Sequence, residues 1–223
     1  MAETRAVLIE AAVDTLRESG FAAASARRIA QRAGCNQALV FYHFGSVNDL
    51  LVAALEDVSS RRMDAYRELL SHTESLAALA ESARVVFEQD LDAGHVRVLT
   101  EMISGAQSVP GLAERVAACL APWRAFAEDA VRDVLAASPV PGLFPPQEVA
   151  HAVVAGILGL EMLASLDADA ASVGASPAGG TARESGRAAA LALFDRAHAV
   201  GELLDRLRPL AGLLDLTSLV KDK

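Results

Sequence analysis

Three glycines give the first fifty residues a fixed rhythm. A long helical run ends at Gly20, a short run at Gly34 and a very short one at Gly45, and then another long run begins. No other feature of the 223 residues narrows the fold as much. Leu8, Ala12 and Leu16 recur every fourth residue and predict a helix from about Thr4 to Ser19. Gly20 ends it where a left-handed residue is cheap, and Phe21 follows as the apolar partner of a Schellman-type stop. Ser25 is a good N-cap for a second helix reaching about Ala33. Gly34 breaks that helix, and Asn36 caps a very short third one ending near His43. Ser46, with Asp49 three residues on, makes a capping-box pattern. Leu50, Leu51, Ala54, Leu55 and Val58 then carry an apolar face towards Leu70. Two helices joined through a short glycine turn, here Ala33-Gly34-Cys35, form a helix-turn-helix, a unit able to set its second helix in a DNA major groove.

The side chains fit that unit. Leu16, Phe21, Ile29, Val40 and Phe44 supply a miniature core. Asn36 and Gln37 carry amides that pair in bidentate fashion with adenine N6 and N7; capping alone would also account for Asn36. Ser25, Tyr42 and His43 suit phosphate contacts, which set register without reading sequence. Arg27, Arg28 and Arg32 give the second helix a positive bias, although an exposed arginine is often simply solvated. Cys35 is expected to pack the turn.

Residues 25–51, S-A-R-R-I-A-Q-R-A-G-C-N-Q-A-L-V-F-Y-H-F-G-S-V-N-D-L-L, resemble the DNA-binding segment of the tetracycline-repressor-like (TetR/AcrR) family. Ile29-Ala30, Ala33-Gly34, His43-Phe44, Ser46 and Leu50 match at the family's spacing. The resemblance covers about residues 4–55. It implies DNA contacts from Ser25, Arg27, Arg28, Asn36, Gln37, Tyr42 and His43. Three positions depart from the family pattern. Phe41 stands where a Tyr is usual and lacks a hydroxyl for phosphate. Val47 stands where a Lys is usual and lacks a charge. Leu39 stands where a small residue is usual.

The rest of the chain also reads as helix. The sequence holds 46 Ala and 30 Leu and is only 4% aromatic, a composition that favours helix and argues against a sandwich or barrel. An all-α fold is therefore expected. It comprises a helix-turn-helix domain over 1–45 and a larger ligand-binding and dimerisation bundle over 46–223, joined by a connecting helix over 46–70. Further helices are expected at about Ser75–Asp90, Val96–Gln107, Leu112–Ala137 (kinked at Pro122), Gln147–Asp167 and Arg183–Arg208. A rigid proline connector spans Pro139–Pro146, and a flexible small-residue loop spans Ala171–Thr181. Net charge is −9, and all of it lies beyond residue 50, which disfavours a chain coated in basic surface. Two cysteines are too few for a disulfide framework or zinc cluster. The N-terminus carries acid and base within five residues, unlike a signal peptide. The apolar run Val149–Leu166 is broken by His151 and Glu161 and reads as a buried helix rather than a membrane span. A cytoplasmic protein without membrane contact is expected.

One head reads few base pairs, so specificity calls for a two-fold homodimer on an inverted-repeat DNA operator. The apolar helix over 149–166 and the last long helix offer the arms of a four-helix interface, with Val153, Gly156, Gly159, Leu160, Phe194, Val200 and Leu204 as candidates. Phe87, Leu99, Met102, Ile103, Trp123, Phe126, Leu158, Glu161 and Met162 are candidate walls of a pocket for an unidentified small-molecule effector, with Glu101, Gln107 and His151 as further polar groups. Ordinary core packing would account for most of these as well. No G-x-S-x-G, phosphate loop, H-E-x-x-H or dinucleotide fingerprint is present, and the five histidines are scattered. No enzyme, metal or cofactor is expected. The resemblance implies a ligand-responsive regulator, by default a repressor released from its operator by the small molecule. The alternative is a helical ligand carrier or adaptor with a vestigial head.

Overall fold

A computed structural model describes residues 2–70, 75–137, 145–173 and 179–211. All regular structure among them is helical. The order is α1 (Ala2–Ser19), a 3-10 turn (Phe21–Ala23), α2 (Ala26–Arg32), α3 (Ala38–Phe44), α4 (Val47–Leu70), α5 (Leu76–Ala93), α6 (His95–Ala106), α7 (Leu112–Ala137), α8 (Pro146–Val173) and α9 (Gly179–Ala211). The all-α reading holds. The chain forms two compact units. The first takes Met1–Ala65 and Gln89–Trp123, and the second takes Tyr66–Glu88 and Arg124–Lys223.

The first unit is built on the fourfold spacing of α1. Leu8, Ala12 and Leu16 are fully buried, as are Ile29, Val40 and Leu50 from the next three helices. Each such Leu or Ile contributes roughly 1.5–3 kcal/mol relative to an exposed side chain. Phe21 and Phe44 are half-buried and pack against the same core. Val98 and Met102 of α6 and Leu112 and Val116 of α7 complete it. Thr15 is the buried polar residue of α1, and its hydroxyl donates to the Ala11 carbonyl at 2.7 Å, so no polar atom there is left dry.

The stop of α1 differs from the expected Schellman motif. Gly20 does have a positive φ of 76°, but its ψ of 175° lies outside the left-handed helical region. The Phe21 N–H, which that motif would return to α1, donates instead to Glu101 Oε2 on α6 at 2.8 Å. A carboxylate offers a stronger acceptor than a helix-end carbonyl. Phe21 also lies directly on the Cα of Gly105, where a Cβ would strike its ring. No local signal marks this joint, because Glu101 and Gly105 lie about eighty residues away.

Two ion pairs tie α4 to the rest of the first unit. Arg115 Nη1 of α7 donates to Asp49 Oδ1 at 2.6 Å. The buried Asp90 pairs with Arg62, and His95 Nδ1 lies 3.1 Å from the same carboxylate.

In the second unit, α8 and α9 pack along each other. The Phe87 and Phe194 rings pack at a 40° tilt with centres 5.5 Å apart, and Tyr66 meets Phe126 edge-on at 6.4 Å. His198 Nδ1 lies 3.0 Å from the Ala77 carbonyl oxygen. Arg84 lies among Glu81, Glu88 and Asp195. Pro146 opens α8 at the first helical position, where its missing N–H is no loss, and the Pro145 carbonyl accepts from Glu148 and Val149.

α7 spans Leu112–Ala137 with Pro122 inside it, as expected, and the unit boundary falls after Trp123. One expectation needs adjusting: α8 reaches Val173 and α9 begins at Gly179, so helix enters the 171–181 stretch from both sides, and residues 174–178 lie outside the described residues. Pro139, Pro141 and Gly142 of the connector lie outside the described residues.

Candidate nucleic-acid interface

The helix-turn-helix is assembled by local rules. Ser25 caps α2 by accepting the Arg28 N–H on its hydroxyl at 3.3 Å. α2 ends in the pair of hydrogen bonds that was expected at Gly20. The Cys35 N–H donates to the Ala30 carbonyl at 3.0 Å and the Gly34 N–H to Gln31 at 3.2 Å, with Gly34 at φ 67°. This is the Schellman pattern, and only glycine adopts that φ without strain. The Ala38 N–H donates to Asn36 Oδ1 at 2.8 Å, so Asn36 does cap α3, from one residue before the N-cap position held by Gln37. Gly45 then closes α3 at φ 79°, and α4 leaves at 65° to it. The Ser46 hydroxyl accepts the Asp49 N–H at 3.0 Å and donates to the Asp49 carboxylate. That hydrogen bond, and after it Arg115, hold the Asp49 carboxyl below its usual range.

α3 has two distinct faces. Val40 is fully buried, and Leu39 and Phe44 pack on the core. Gln37, Ala38, Phe41 and Tyr42 are exposed, at helical spacing along one stripe. Tyr42 is 69% exposed and Phe41 51%. His43 is half-buried, with the Tyr42 ring edge-on at 5.0 Å and Phe44 at 6.3 Å. Ser25, Arg27, Arg28 and Asn36 are all exposed. Asn36 Oδ1 accepts from Ala38, and its amide N–H groups are donors for a base; Gln37 stands exposed one residue on. Ser25 still has its O–H to donate to a phosphate.

The positive bias expected from three arginines is smaller in the structure. Arg32 Nη1 donates to Glu18 at 3.0 Å and its Nη2 donates to the same carboxylate, with Asp14 nearby at 3.6 Å. Its hydrogen bond holds the Glu18 carboxyl below the usual range. Arg17 pairs with Asp14 at 2.7 Å. Both guanidiniums therefore serve the fold of the head. Another cation, one the sequence did not single out, takes a place beside α3: the exposed Arg5 of α1 lies over the Phe44 ring, 5.1 Å from its centre. A cation near the C-terminus of α3 is favourable to that helix. Its only sequence signal was an arginine in the first turns of α1. Val47, the residue in place of the family's Lys, packs partly against the core.

The pocket candidates divide between the units. Met102 is fully buried in the core of the first unit, with Leu99 and Ile103 packed against it. Their apolar face serves the head, because α6 is the helix that closes over α1. Glu101, considered as a pocket polar group, is engaged by Phe21. Trp123 is half-buried at the end of the first unit. Phe87, Phe126, Leu158 and Met162 belong to the second, and Phe87 is buried against Phe194, which the sequence had suggested for the dimer interface. Gln107 and His151 are exposed. Glu148 and His151 do stand at Glu-x-x-His spacing, but both are exposed, and no group of three or more potential metal ligands gathers among the described residues. Of the interface candidates, Gly156 and Gly159 are half-buried and Val153 and Val200 exposed; the side chains of Leu160, Glu161 and Leu204 lie outside the described set. Among the described residues no single helix is long and apolar enough to cross a membrane.

Residues 8–54 match the family model described as bacterial regulatory proteins, tetR family. An uncharacterized HTH-type transcriptional regulator of Mycobacterium tuberculosis is 29% identical over 140 residues, 62% of this chain and 71% of the relative. An HTH-type transcriptional repressor of the same organism is 34% identical over 113 residues, 51% of this chain and 53% of its own. Among solved structures, a TetR-family regulator from Rhodococcus sp. superposes with TM-score 0.68 at 20% identity, over 89% of this chain and 98% of that one. A regulator from Saccharomonospora viridis in complex with choline does so with TM-score 0.63 at 18% identity, over 74% and 87%.

Proposed function

We propose that the chain is a TetR-family transcriptional regulator that binds DNA through its N-terminal helix-turn-helix, acting as a homodimeric repressor which leaves an inverted-repeat operator when a small molecule binds its body. The observation that carries the reading is the two-faced α3: one side is welded into the core by Val40, while Gln37 and Tyr42 stand exposed on the other. In this reading Gln37 contacts a base edge, Asn36 assists through its N–H donors, and Ser25, Tyr42, His43, Arg27 and Arg28 hold phosphates. Arg5 joins them, because its guanidinium is parked over Phe44 beside α3.

DNA reading belongs to residues 1–45, and ligand binding and dimerisation to 46–223. The exposed Val153 of α8 and Val200 and Leu203 of α9 support a covering partner on that helix pair, and a second copy of the chain is the simplest one. The effector site is assigned to the second unit, around Phe126, Leu158 and Met162. The choline-bound neighbour supports small-molecule binding by this fold, and the Mycobacterium repressor supports the sign of regulation. Coupling passes through α4, whose first turn carries Ser46 and Asp49. A coupling of about 1–3 kcal/mol changes operator affinity roughly 5–150-fold. The site of action is the cytoplasm, where the chromosome is.

The test is selection of fragments from the protein's own sheared genome near physiological salt, followed by sequencing. Enrichment of a shared inverted repeat is expected, and the Gln37→Ala, Tyr42→Ala double variant is expected to lose it by about 100-fold in affinity with an unchanged melting temperature. Equal recovery of fragments by the wild type and the double variant would sink the reading.

A further inference from the structure

The α3 stripe contains more apolar surface than a phosphate-and-amide reader needs. Phe41 is half exposed between Ala38, one turn earlier, and Tyr42, and its ring has no polar atom to offer a phosphate. A single exposed ring elsewhere on a surface calls for no explanation. This one stands on the same stripe as Gln37, continuous with the face that meets DNA. The burial pattern gives its direction: Val40 before it is fully buried, whereas Phe41 is 51% exposed. In the major groove, one base-edge feature is apolar, the C5-methyl group of thymine, and Ala and Phe are among the side chains that meet it.

We propose that Phe41, together with the Ala38 methyl, reads the C5-methyl of a thymine in each operator half-site, so that α3 distinguishes thymine from cytosine by apolar contact next to the adenine read by Gln37. The inference rests on the DNA-binding reading above and adds a specificity determinant to it. The family's Tyr at this position adds a hydroxyl for the backbone to the same ring; the Phe here lacks the hydroxyl, so the apolar contact is all that it contributes. Leu39 does not share the task, since it packs inward.

The experiment uses the full chain and the duplex most strongly recovered from the genomic selection. Thymines in the half-sites are replaced by deoxyuridine one symmetric pair at a time, which removes the methyl and leaves base pairing and every hydrogen-bonding edge unchanged. Burying one methyl group corresponds to about fourfold in affinity, so a symmetric pair gives about fifteenfold. The expected result is a loss of that size at one thymine position per half-site for the wild type and for Phe41→Tyr, which keeps the ring. Phe41→Ala, a change at an exposed site that leaves the core untouched, binds the thymine and uracil duplexes equally. Affinity within twofold at every substituted position overturns the inference while leaving the regulator reading intact. A Phe41→Ala protein as sensitive to uracil as the wild type overturns it too. Failure to select any duplex overturns both.

Discussion

The α3 stripe and the α8–α9 pair both expose apolar side chains, and the contrast between them separates two kinds of partner. On α3 the exposed Phe41 sits among Gln37 and Tyr42, with a fully packed core directly behind it. On α8, whose Val149–Leu166 run is apolar nearly all round, Val153 is exposed, and on the amphipathic α9 Leu193, Val200 and Leu203 are exposed. One ring in a polar stripe suits a groove lined by base edges and phosphates. Repeated aliphatic side chains along paired helices suit another helix pair, because a helix apolar on all sides needs cover on all sides.

The largest effect is expected where this contrast is broken on the aliphatic side. Changing Val200 and Leu203 to Glu places charge in the proposed interface. The protein should sediment as a monomer and bind its operator about 100-fold or more weakly, because the two heads no longer act together. An intact dimer at micromolar concentration would move the interface elsewhere. The same protein should keep its helical content, since both side chains are already exposed.

A smaller effect probes the joint that fixes the head. Gly105→Ala puts a methyl into the Phe21 ring. Overpacking of this kind costs about 2 kcal/mol and should lower the melting temperature by about 6 °C. An unchanged melting temperature would mean that α6 draws back from the 3-10 turn freely, and that the Glu101 bond to Phe21 does not hold it.

Val47→Lys restores the family's charge at the start of α4. If residue 47 lies along the DNA backbone, the dependence of log affinity on log salt steepens by about one unit per subunit. An unchanged slope would place residue 47 away from phosphate. The smallest effect concerns Asp49. Its carboxyl titrates below the ordinary 3.8, so its pairing with Ser46 and Arg115 is complete above that value and is lost as pH falls through the lower, folded one. Asp49→Asn should therefore flatten part of the acid-unfolding limb below about pH 4, followed by circular dichroism, and leave stability near neutrality little changed for so exposed a pair. An acid limb identical to the wild type's would show that other carboxylates govern it.

Much of the head was legible in advance because its signals are local. Ser25, Gly34, Asn36 and Gly45 each act on hydrogen bonds within five residues, and the fourfold spacing of Leu8, Ala12 and Leu16 predicts a buried face wherever the helix is placed. Gly20 shows the limit. Its sequence context matched a Schellman stop, but a distant carboxylate took the Phe21 N–H. The same limit governed the arginines. Arg32 was expected to add positive bias to the second helix, and its partner Glu18 lies on the helix before, close enough to pair only after α1 and α2 have packed.

In the middle helices the sequence determined amphipathicity and length, and α6 and α7 appear close to the expected bounds. It did not determine which neighbour each apolar face would meet. Met102 could have lined a cavity or closed the head; the fold buries it beneath α1. Phe87 and Phe194 could have served a ligand and a second subunit; the fold packs them against each other. Caps, turns and helix periods are set by the backbone's own hydrogen bonds within a turn or two, so the residues alone decide them. Which apolar face covers which, and which charge finds its opposite, depends on segments brought together from far along the chain, and only the tertiary structure decides that.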